Sequence, residues 1–161
     1  GAQAPLIAGF QALDAWNRQQ AEKGQPAVEL AFASSCDVPL LGPQWPQTIA
    51  QRLRAADADA AVPVESRFHH PLAAVYSRTT LPVLQRLSDQ DELRPRKLFD
   101  LVNTVRIPVE ELRDIDPELN TLTNLNTPAD YLRTLEREGL ARPDGIFAGE
   151  SHADGDLTAG A

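Results

Sequence analysis

Apolar residues recur along the chain with two periods, which separate predicted helices from predicted strands. Spacings of three and four residues, typical of helices, predict helices over 5–20, 43–55, 79–87 and 95–102. Short apolar or alternating runs, typical of half-buried or buried strands, predict strands over 28–33, 60–64, 72–76, 104–109 and 121–125. Helices that alternate with strands over short loops favour an α/β protein. We expect a Rossmann-like, mostly parallel sheet with helices on both faces.

Proline and capping residues refine this prediction at three places. Pro63, inside the second predicted strand, indicates an edge strand or a strand end, because proline cannot donate to a sheet ladder. Thr127, Pro128 and Asp130 form the pattern of a capping box and predict a helix that begins after Thr127. From Ala141 onward the chain carries four glycines, four acids and one arginine. We therefore expect one domain over 1–140 and a disordered acidic tail over 141–161.

Composition excludes several classes of function. The 161 residues carry a formal net charge of −8, which argues against nucleic-acid binding because that requires a basic footprint. No apolar run approaches the length of a membrane span, so no membrane partner is expected. Cys36 is the single cysteine, which fits a reducing compartment and predicts a cytoplasmic protein. The chain starts at Gly1 and has no methionine, so we expect a piece of a longer protein.

Asp37 is the main candidate for chemistry. It lies just past the carboxyl end of the predicted strand 28–33, where open α/β sheets bind ligands. Its carboxylate is a hard oxygen donor suited to Mg²⁺ and hence to a phosphate-bearing substrate. The alternative is a structural role, in which Asp37 caps or turns the loop before Pro39. We expect the neighbouring Cys36 to be a small buried residue rather than a nucleophile.

Two amides form a second candidate group. Asn124 and Asn126 alternate on the predicted strand 121–125 and its end, so both side chains could face one side. Amides can donate to and accept from the hydrogen-bonding edge of a ligand. The alternative is turn chemistry before the Thr127 cap.

Histidines and cations complete the candidates. His69 and His70 are adjacent and could form a solvated surface pair, since no metal-ligand spacing surrounds them. Arg94, Arg96 and Lys97 form the densest basic patch. Such runs usually form a solvated face, although arginine also suits phosphate geometry.

Three motifs in order carry a resemblance to a known family. They are Ser35-Cys36-Asp37-Val38-Pro39, then Phe68-His69-His70-Pro71-Leu72-Ala73-Ala74-Val75-Tyr76, then Asn124-Leu125-Asn126-Thr127-Pro128-Ala129-Asp130-Tyr131. The chain resembles the C-terminal two-thirds of MobA-type molybdenum cofactor guanylyltransferases. The resemblance implies a nucleotidyltransferase fold and transfer of GMP from GTP to molybdopterin, with Mg²⁺ as cofactor and molybdoenzymes or chaperones as possible partners. It also implies a catalytic, metal-binding Asp37 and substrate-binding His70, Asn124 and Asn126.

The chain departs from this family at the phosphate-binding loop. Family members begin with a strand and a glycine-rich loop that bears arginine and lysine. Here the lysines are Lys23 and Lys97, and neither lies in a glycine-rich turn. We therefore expect a fold that lacks the N-terminal nucleotide-loop unit and a chain that is inactive as given. The alternatives are a non-catalytic remnant that binds a pterin cofactor or a partner protein, and a cytidylyltransferase for the same cofactor.

Overall fold

The computed structural model describes residues 3–92 and 94–141. The strands are β1 (Leu30–Ser34), β2 (Ala60–Glu65), β3 (Phe68–His69), β4 (Ala73–Ser77) and β5 (Thr104–Pro108). The helices are α1 (Gln3–Ala21), α2 (Gln44–Ala55), α3 (Leu81–Asp89), α4 (Pro95–Leu101) and α5 (Pro128–Arg137). Short 3₁₀ turns occupy Arg78–Thr80, Val109–Leu112 and Asn120–Leu122. The chain divides into two compact units, 1–124 and 125–161; the first contains all the strands just named.

The sheet is mixed, which corrects the prediction of a mostly parallel one. Strand β4 pairs antiparallel with β1 and with β2, and β2 pairs antiparallel with β3. The parallel pairing within the described residues joins β2 to β5. The reason is local: β2 and β4 are connected through the short strand β3 rather than through a crossover helix, and a short connection can join only antiparallel neighbours.

Both faces of the sheet are covered, as the alternating pattern predicted. On β4, Ala74 and Tyr76 belong to one buried cluster, whereas Ala73 and Val75 belong to another. Successive side chains of a strand point to opposite faces, so each cluster marks one face of the sheet. The first face packs against apolar residues of α1, α3 and α4, and the second against Trp45, Ile49 and Leu53 of α2. The α/β class with helices on both faces is confirmed.

Pro63 lies in a central strand, and the prediction of an edge or a strand end is wrong. Strand β2 has β5 along one side, and β4 and then β3 along the other. The Pro63 carbonyl accepts a hydrogen bond from the His70 N–H, 2.9 Å away. Because the nitrogen and the carbonyl of one strand residue point to the same side, the missing N–H of Pro63 faces the place where the pairing passes from β4 to β3. The sheet therefore tolerates the missing donor at that position.

The predicted strand over 121–125 is also wrong. Asn120–Leu122 forms a 3₁₀ turn, and residues 123–126 have no regular structure. The cause lies upstream: the Asp116 carboxylate accepts the backbone N–H groups of Asn120 and Thr121, at 2.9 and 2.8 Å. Leu119 adopts a left-handed conformation with φ 54°, which bends the chain into this turn. Side-chain hydrogen bonds to the backbone compete in this way with strand pairing.

The second unit contains the helix that the capping pattern predicted. Thr127 accepts the N–H of Asp130 at 3.1 Å, and the Asp130 carboxylate accepts the N–H of Thr127 at 2.9 Å. This reciprocal pair is a capping box, and Pro128 occupies the first turn. The hydrogen bonds from Thr127 lower the pKa of Asp130. The predicted tail falls, from residue 142 onward, outside the described residues. In the described part of the chain, no helix combines the length and apolarity of a bilayer span.

Candidate functional site

The antiparallel pairing of β1 with β4 places two of the predicted motifs at one edge of the sheet. Ser34, the last residue of β1, lies opposite Ala73, the first residue of β4. The loop that follows β1 and the loop that precedes β4 therefore lie side by side. The first loop carries Asp37 and the second carries His70 and Pro71.

Both loops are fixed to the core by side-chain hydrogen bonds. The indole Nε1–H of Trp45, at the start of α2, donates to the Ala73 carbonyl at 3.0 Å, so the segment after the Asp37 loop is tied to β4. The hydroxyl of buried Tyr76 donates to the Pro71 carbonyl at 2.7 Å. Burial raises the pKa of that hydroxyl, so it remains a donor at every ordinary pH. These contacts hold the loops on rigid elements.

The Asp37 side chain is half-buried at the carboxyl end of β1. Its carboxylate accepts a hydrogen bond from the Ser35 hydroxyl. Among the described residues, the hydrogen-bond partner of the Asp37 carboxylate is therefore a side chain. A turn role would require the carboxylate to accept a backbone N–H of the loop, and it accepts none from the described residues. Cys36 is exposed, so our expectation of a buried cysteine is wrong: Cys36 lies in the loop beyond β1 rather than within the strand.

The residues around Asp37 can supply only part of the coordination shell of a Mg²⁺ ion. In residues 3–92 and 94–141, no three His, Cys, Asp or Glu side chains lie close enough together to hold a metal ion. Asp37 and Ser35 supply hard oxygen atoms. Mg²⁺ is commonly bound by one or two carboxylates together with water and substrate phosphates. The donor set therefore suits a magnesium ion that arrives with a phosphate ligand.

A cleft of about 320 Å³ opens between the two loops and the 3₁₀ turn Asn120–Leu122. Its walls are formed by Ser35, Val38, Phe68, His70, Pro71, Leu72, Ala73, Thr121, Leu122 and Asn124. The cleft thus brings His70 and Asn124 together, with the residues on either side of Asp37. A larger hollow of about 580 Å³ lies at the opposite end of β1, next to Glu29 and Arg54. It contains none of the motif residues, so we assign the site to the smaller cleft.

The two adjacent histidines have different surroundings and do not form a solvated surface pair. His69 stacks on Phe99 with ring centroids 5.5 Å apart, and its Nε2 accepts the Nε–H of Arg106 at 3.4 Å. Burial, followed by the charges of Arg106 and Arg96, lowers the pKa of His69. His70 instead lines the cleft. Burial lowers the pKa of His70 as well, so its imidazole is neutral at pH 7.

Two buried polar atoms in the cleft walls have no hydrogen-bond partner within the described residues. They are Nε2 of His70 and Oγ1 of Thr121. Thr121 is only 3% exposed, and an unpaired buried hydroxyl costs about 1–3 kcal/mol. Sequence reasoning missed Thr121, because its burial depends on the Asp116 turn and not on any local pattern.

Asn124 and Asn126 are both exposed, but the structure does not place them alike. Asn124 lies in the cleft wall. Asn126 belongs to the second unit, where its backbone N–H donates to the Asp130 carboxylate at 3.2 Å. Because residues 123–126 are irregular, strand alternation no longer argues that the two amides face one side.

The basic patch contributes no residue to the cleft. Arg94 is paired with Glu92, and the hydrogen bonds from Arg94 lower the pKa of Glu92 to about 2. Arg96 and Lys97 are exposed on α4. All ten residues of the cleft wall are uncharged, apart from the titratable His70.

Fold and site together define an α/β domain with a ligand cleft at the end of β1 and a carboxylate beside it. The sequence profile of the family described as MobA-like NTP transferase domain matches residues 5–106. The chain belongs to this family.

Curated relatives and a solved structure agree with this assignment. "Probable molybdenum cofactor guanylyltransferase" of Methanosarcina mazei is 34% identical over 106 residues, which cover 63% of this chain and 46% of that protein. "Molybdenum cofactor guanylyltransferase" of Desulfosudis oleivorans is 33% identical over 99 residues, or 62% of this chain and 48% of that protein. Molybdopterin-guanine dinucleotide biosynthesis protein A of Archaeoglobus fulgidus superposes with a TM-score of 0.62 at 28% identity, covering 69% and 56% of the two chains. The chain therefore spans about half the length of the curated relatives it matches.

Proposed function

We propose that this chain is part of a nucleotidyltransferase of molybdenum cofactor biosynthesis that transfers GMP from GTP to molybdopterin. The observation that carries the proposal is the position of Asp37, a carboxylate beyond the end of β1 and beside an uncharged cleft, in a chain of the MobA-like family. The names of the relatives supply the substrates. The same proposal includes Asp37 as metal ligand and catalytic residue, and His70, Asn124 and Asn126 as substrate-binding residues.

The proposed reaction is a phosphoryl transfer. A phosphate oxygen of molybdopterin bonds to the α-phosphorus of GTP, the α–β phosphoanhydride bond breaks, and pyrophosphate leaves with the bonding electrons. Mg²⁺, when bound with the triphosphate, neutralises negative charge that develops in this step. Asp37 would hold the ion at the mouth of the cleft, and the uncharged walls would hold the planar part of a substrate away from water.

The test requires a glycine-rich phosphate loop, because neither lysine of this chain lies in a glycine-rich turn. We define the loop-completed protein as this chain preceded by such a segment from the Desulfosudis oleivorans relative. Given molybdopterin, Mg²⁺ and GTP labelled at the α-phosphate, it is expected to form labelled dinucleotide and pyrophosphate. Transfer from CTP instead would make the protein a cytidylyltransferase. Transfer from neither nucleotide would overturn the proposal in favour of a binding role.

The two asparagines give a prediction about the substrate side. Replacing both Asn124 and Asn126 with alanine in the loop-completed protein is expected to weaken molybdopterin binding roughly tenfold, because neutral hydrogen bonds are worth ~0.5–1.5 kcal/mol each. GTP binding should change far less. Separate binding curves for the two substrates measure this.

The single variants sharpen that experiment. Asn124 lines the cleft, so Asn124→Ala should account for most of the loss. Thr127→Ala serves as the control, because it removes the α5 cap and should lower the melting temperature without selecting between substrates. Unchanged molybdopterin affinity in the double variant would end the substrate-side assignment of both residues.

A further inference from the structure

Phe68 is an aromatic side chain without a role in the core. It lies on the two-residue strand β3, forms part of the cleft wall and is 63% exposed. One side of it meets His70 edge to face, with ring centroids 4.9 Å apart and an interplanar angle of 77°. A phenylalanine this exposed gains little from burial in the folded chain. Its position suits contact with a ligand instead.

Two buried polar atoms in the same cleft also lack partners. Oγ1 of Thr121 and Nε2 of His70 are buried and unpaired in the part of the chain that the structure describes. Buried polar groups are normally hydrogen-bonded, and an exception in a native structure calls for an explanation. A hydroxyl donates and accepts, and a neutral imidazole nitrogen does one or the other. The amide of Asn124, in the same wall, offers both functions.

The remaining walls limit the chemistry of the ligand. Val38, Leu72 and Leu122 are apolar, and no lysine or arginine of residues 3–92 and 94–141 lines the cleft. A phosphate group would find no countercharge there. The volume of about 320 Å³ lies at the lower end of small-molecule sites, at ~300–1,000 Å³. The cleft therefore suits an uncharged planar group with a mixed donor and acceptor edge.

We propose that the cleft binds an aminopyrimidinone ring, the planar heterocycle that pterin and guanine share, with its face on Phe68 and its polar edge on Thr121 Oγ1 and His70 Nε2. The choice of pterin and guanine rests on the proposed function, whereas the stacking and edge contacts rest on the cleft alone. Phe68 and Thr121 become specificity-determining residues in addition to His70, Asn124 and Asn126; Phe68 begins the second motif, and Thr121 lies outside all three.

Binding of small probes to the 161-residue chain tests this proposal. Hydroxymethylpterin, whose fluorescence is quenched by stacking, and guanosine are titrated separately. We expect Phe68→Ala to weaken the preferred probe about tenfold, within the range for loss of one base–aromatic stack. Phe68→Leu, which keeps apolar bulk without a ring face, should lose nearly as much. Trp16→Ala is the matched control, because Trp16 is an exposed aromatic on α1, outside the cleft wall.

Thr121→Val separates recognition from folding. Valine has nearly the shape of threonine and removes only the unpaired hydroxyl, so the melting temperature of the free chain should stay unchanged or rise. Affinity for the preferred probe should fall about fivefold. A preference for hydroxymethylpterin assigns the cleft to the pterin half, and a preference for guanosine assigns it to the base. If neither probe binds at millimolar concentration, or if Phe68→Ala binds as well as wild type, the proposal is wrong.

Failure of this inference is distinguishable from failure of the proposed function. If the loop-completed protein transfers GMP and Phe68→Ala leaves the KM of both substrates unchanged, the function stands and the stacking site is wrong. If binding depends on Phe68 and no nucleotide is transferred, the site stands and the enzyme assignment is wrong.

Discussion

Replacing Asp37 with asparagine is expected to lower GMP transfer by the loop-completed protein by at least about 100-fold. The substitution keeps the size of the side chain but removes the negative charge that would hold Mg²⁺ at the end of β1. Loss of a main electrostatic contributor to a phosphoryl transfer has an effect of this order. Steady-state rates at several Mg²⁺ concentrations measure it.

The fold should tolerate this change. The Asp37 side chain is half-buried, and its contact in the described part of the chain is the Ser35 hydroxyl, which an amide oxygen can still accept. The melting temperature should therefore move little. Asp114→Asn is the matched control, since Asp114 is an exposed aspartate outside the cleft wall, and it should leave transfer unchanged. Near-normal turnover of Asp37→Asn at saturating Mg²⁺ would contradict the metal assignment.

Local periodicity predicted the helices and the core well, because the spacing of apolar residues identifies the buried face of a helix. Trp45, Ile49 and Leu53, which are spaced four residues apart in the predicted helix over 43–55, are all buried in one cluster. The alternation of helices with strands along the chain likewise predicted helices on both faces of the sheet, and the first four residues of β4 are buried. Strand direction is different, since an apolar run reads the same in a parallel or an antiparallel sheet. That is why the antiparallel β1–β4 pair, which brings the Asp37 and His70 loops together, was not predicted.

The candidate site could be predicted only where a motif marked it. Asp37 and His70 were found from their motifs, and the structure places their loops side by side at one sheet edge. Thr121 was assigned to the short strand predicted over 121–125, but the Asp116 carboxylate, which accepts its backbone N–H, bends the chain into a 3₁₀ turn instead. Phe68 is a candidate ligand contact because its side chain is exposed, and that exposure is a property of the tertiary structure that the sequence did not reveal.

The 161-residue chain by itself is expected to bind GTP weakly and to show no measurable GTP turnover. Triphosphates are held by backbone N–H groups of glycine-rich turns and by cationic side chains. The two lysines offer no such site: Lys23 lies in the turn after α1, and Lys97 is exposed on α4. Calorimetric titration with GTP and Mg²⁺, together with an assay for pyrophosphate, measures both expectations.

The basic patch on and before α4 is the alternative site at which the chain could bind the phosphates of GTP. Arg94 is engaged by Glu92, whose lowered pKa keeps the pair charged down to pH of about 2. Arg94 is exposed but paired with Glu92, whereas Arg96 and Lys97 are exposed on α4 and are the better candidates for a phosphate contact. Micromolar GTP affinity would contradict the prediction, and its loss in the Arg96→Ala, Lys97→Ala double variant would move the phosphate site to α4. The loop-completed protein supplies the opposite control. If the added loop provides the missing donors, tight GTP binding should appear there and should survive the same double substitution, because the triphosphate would then be held by the loop.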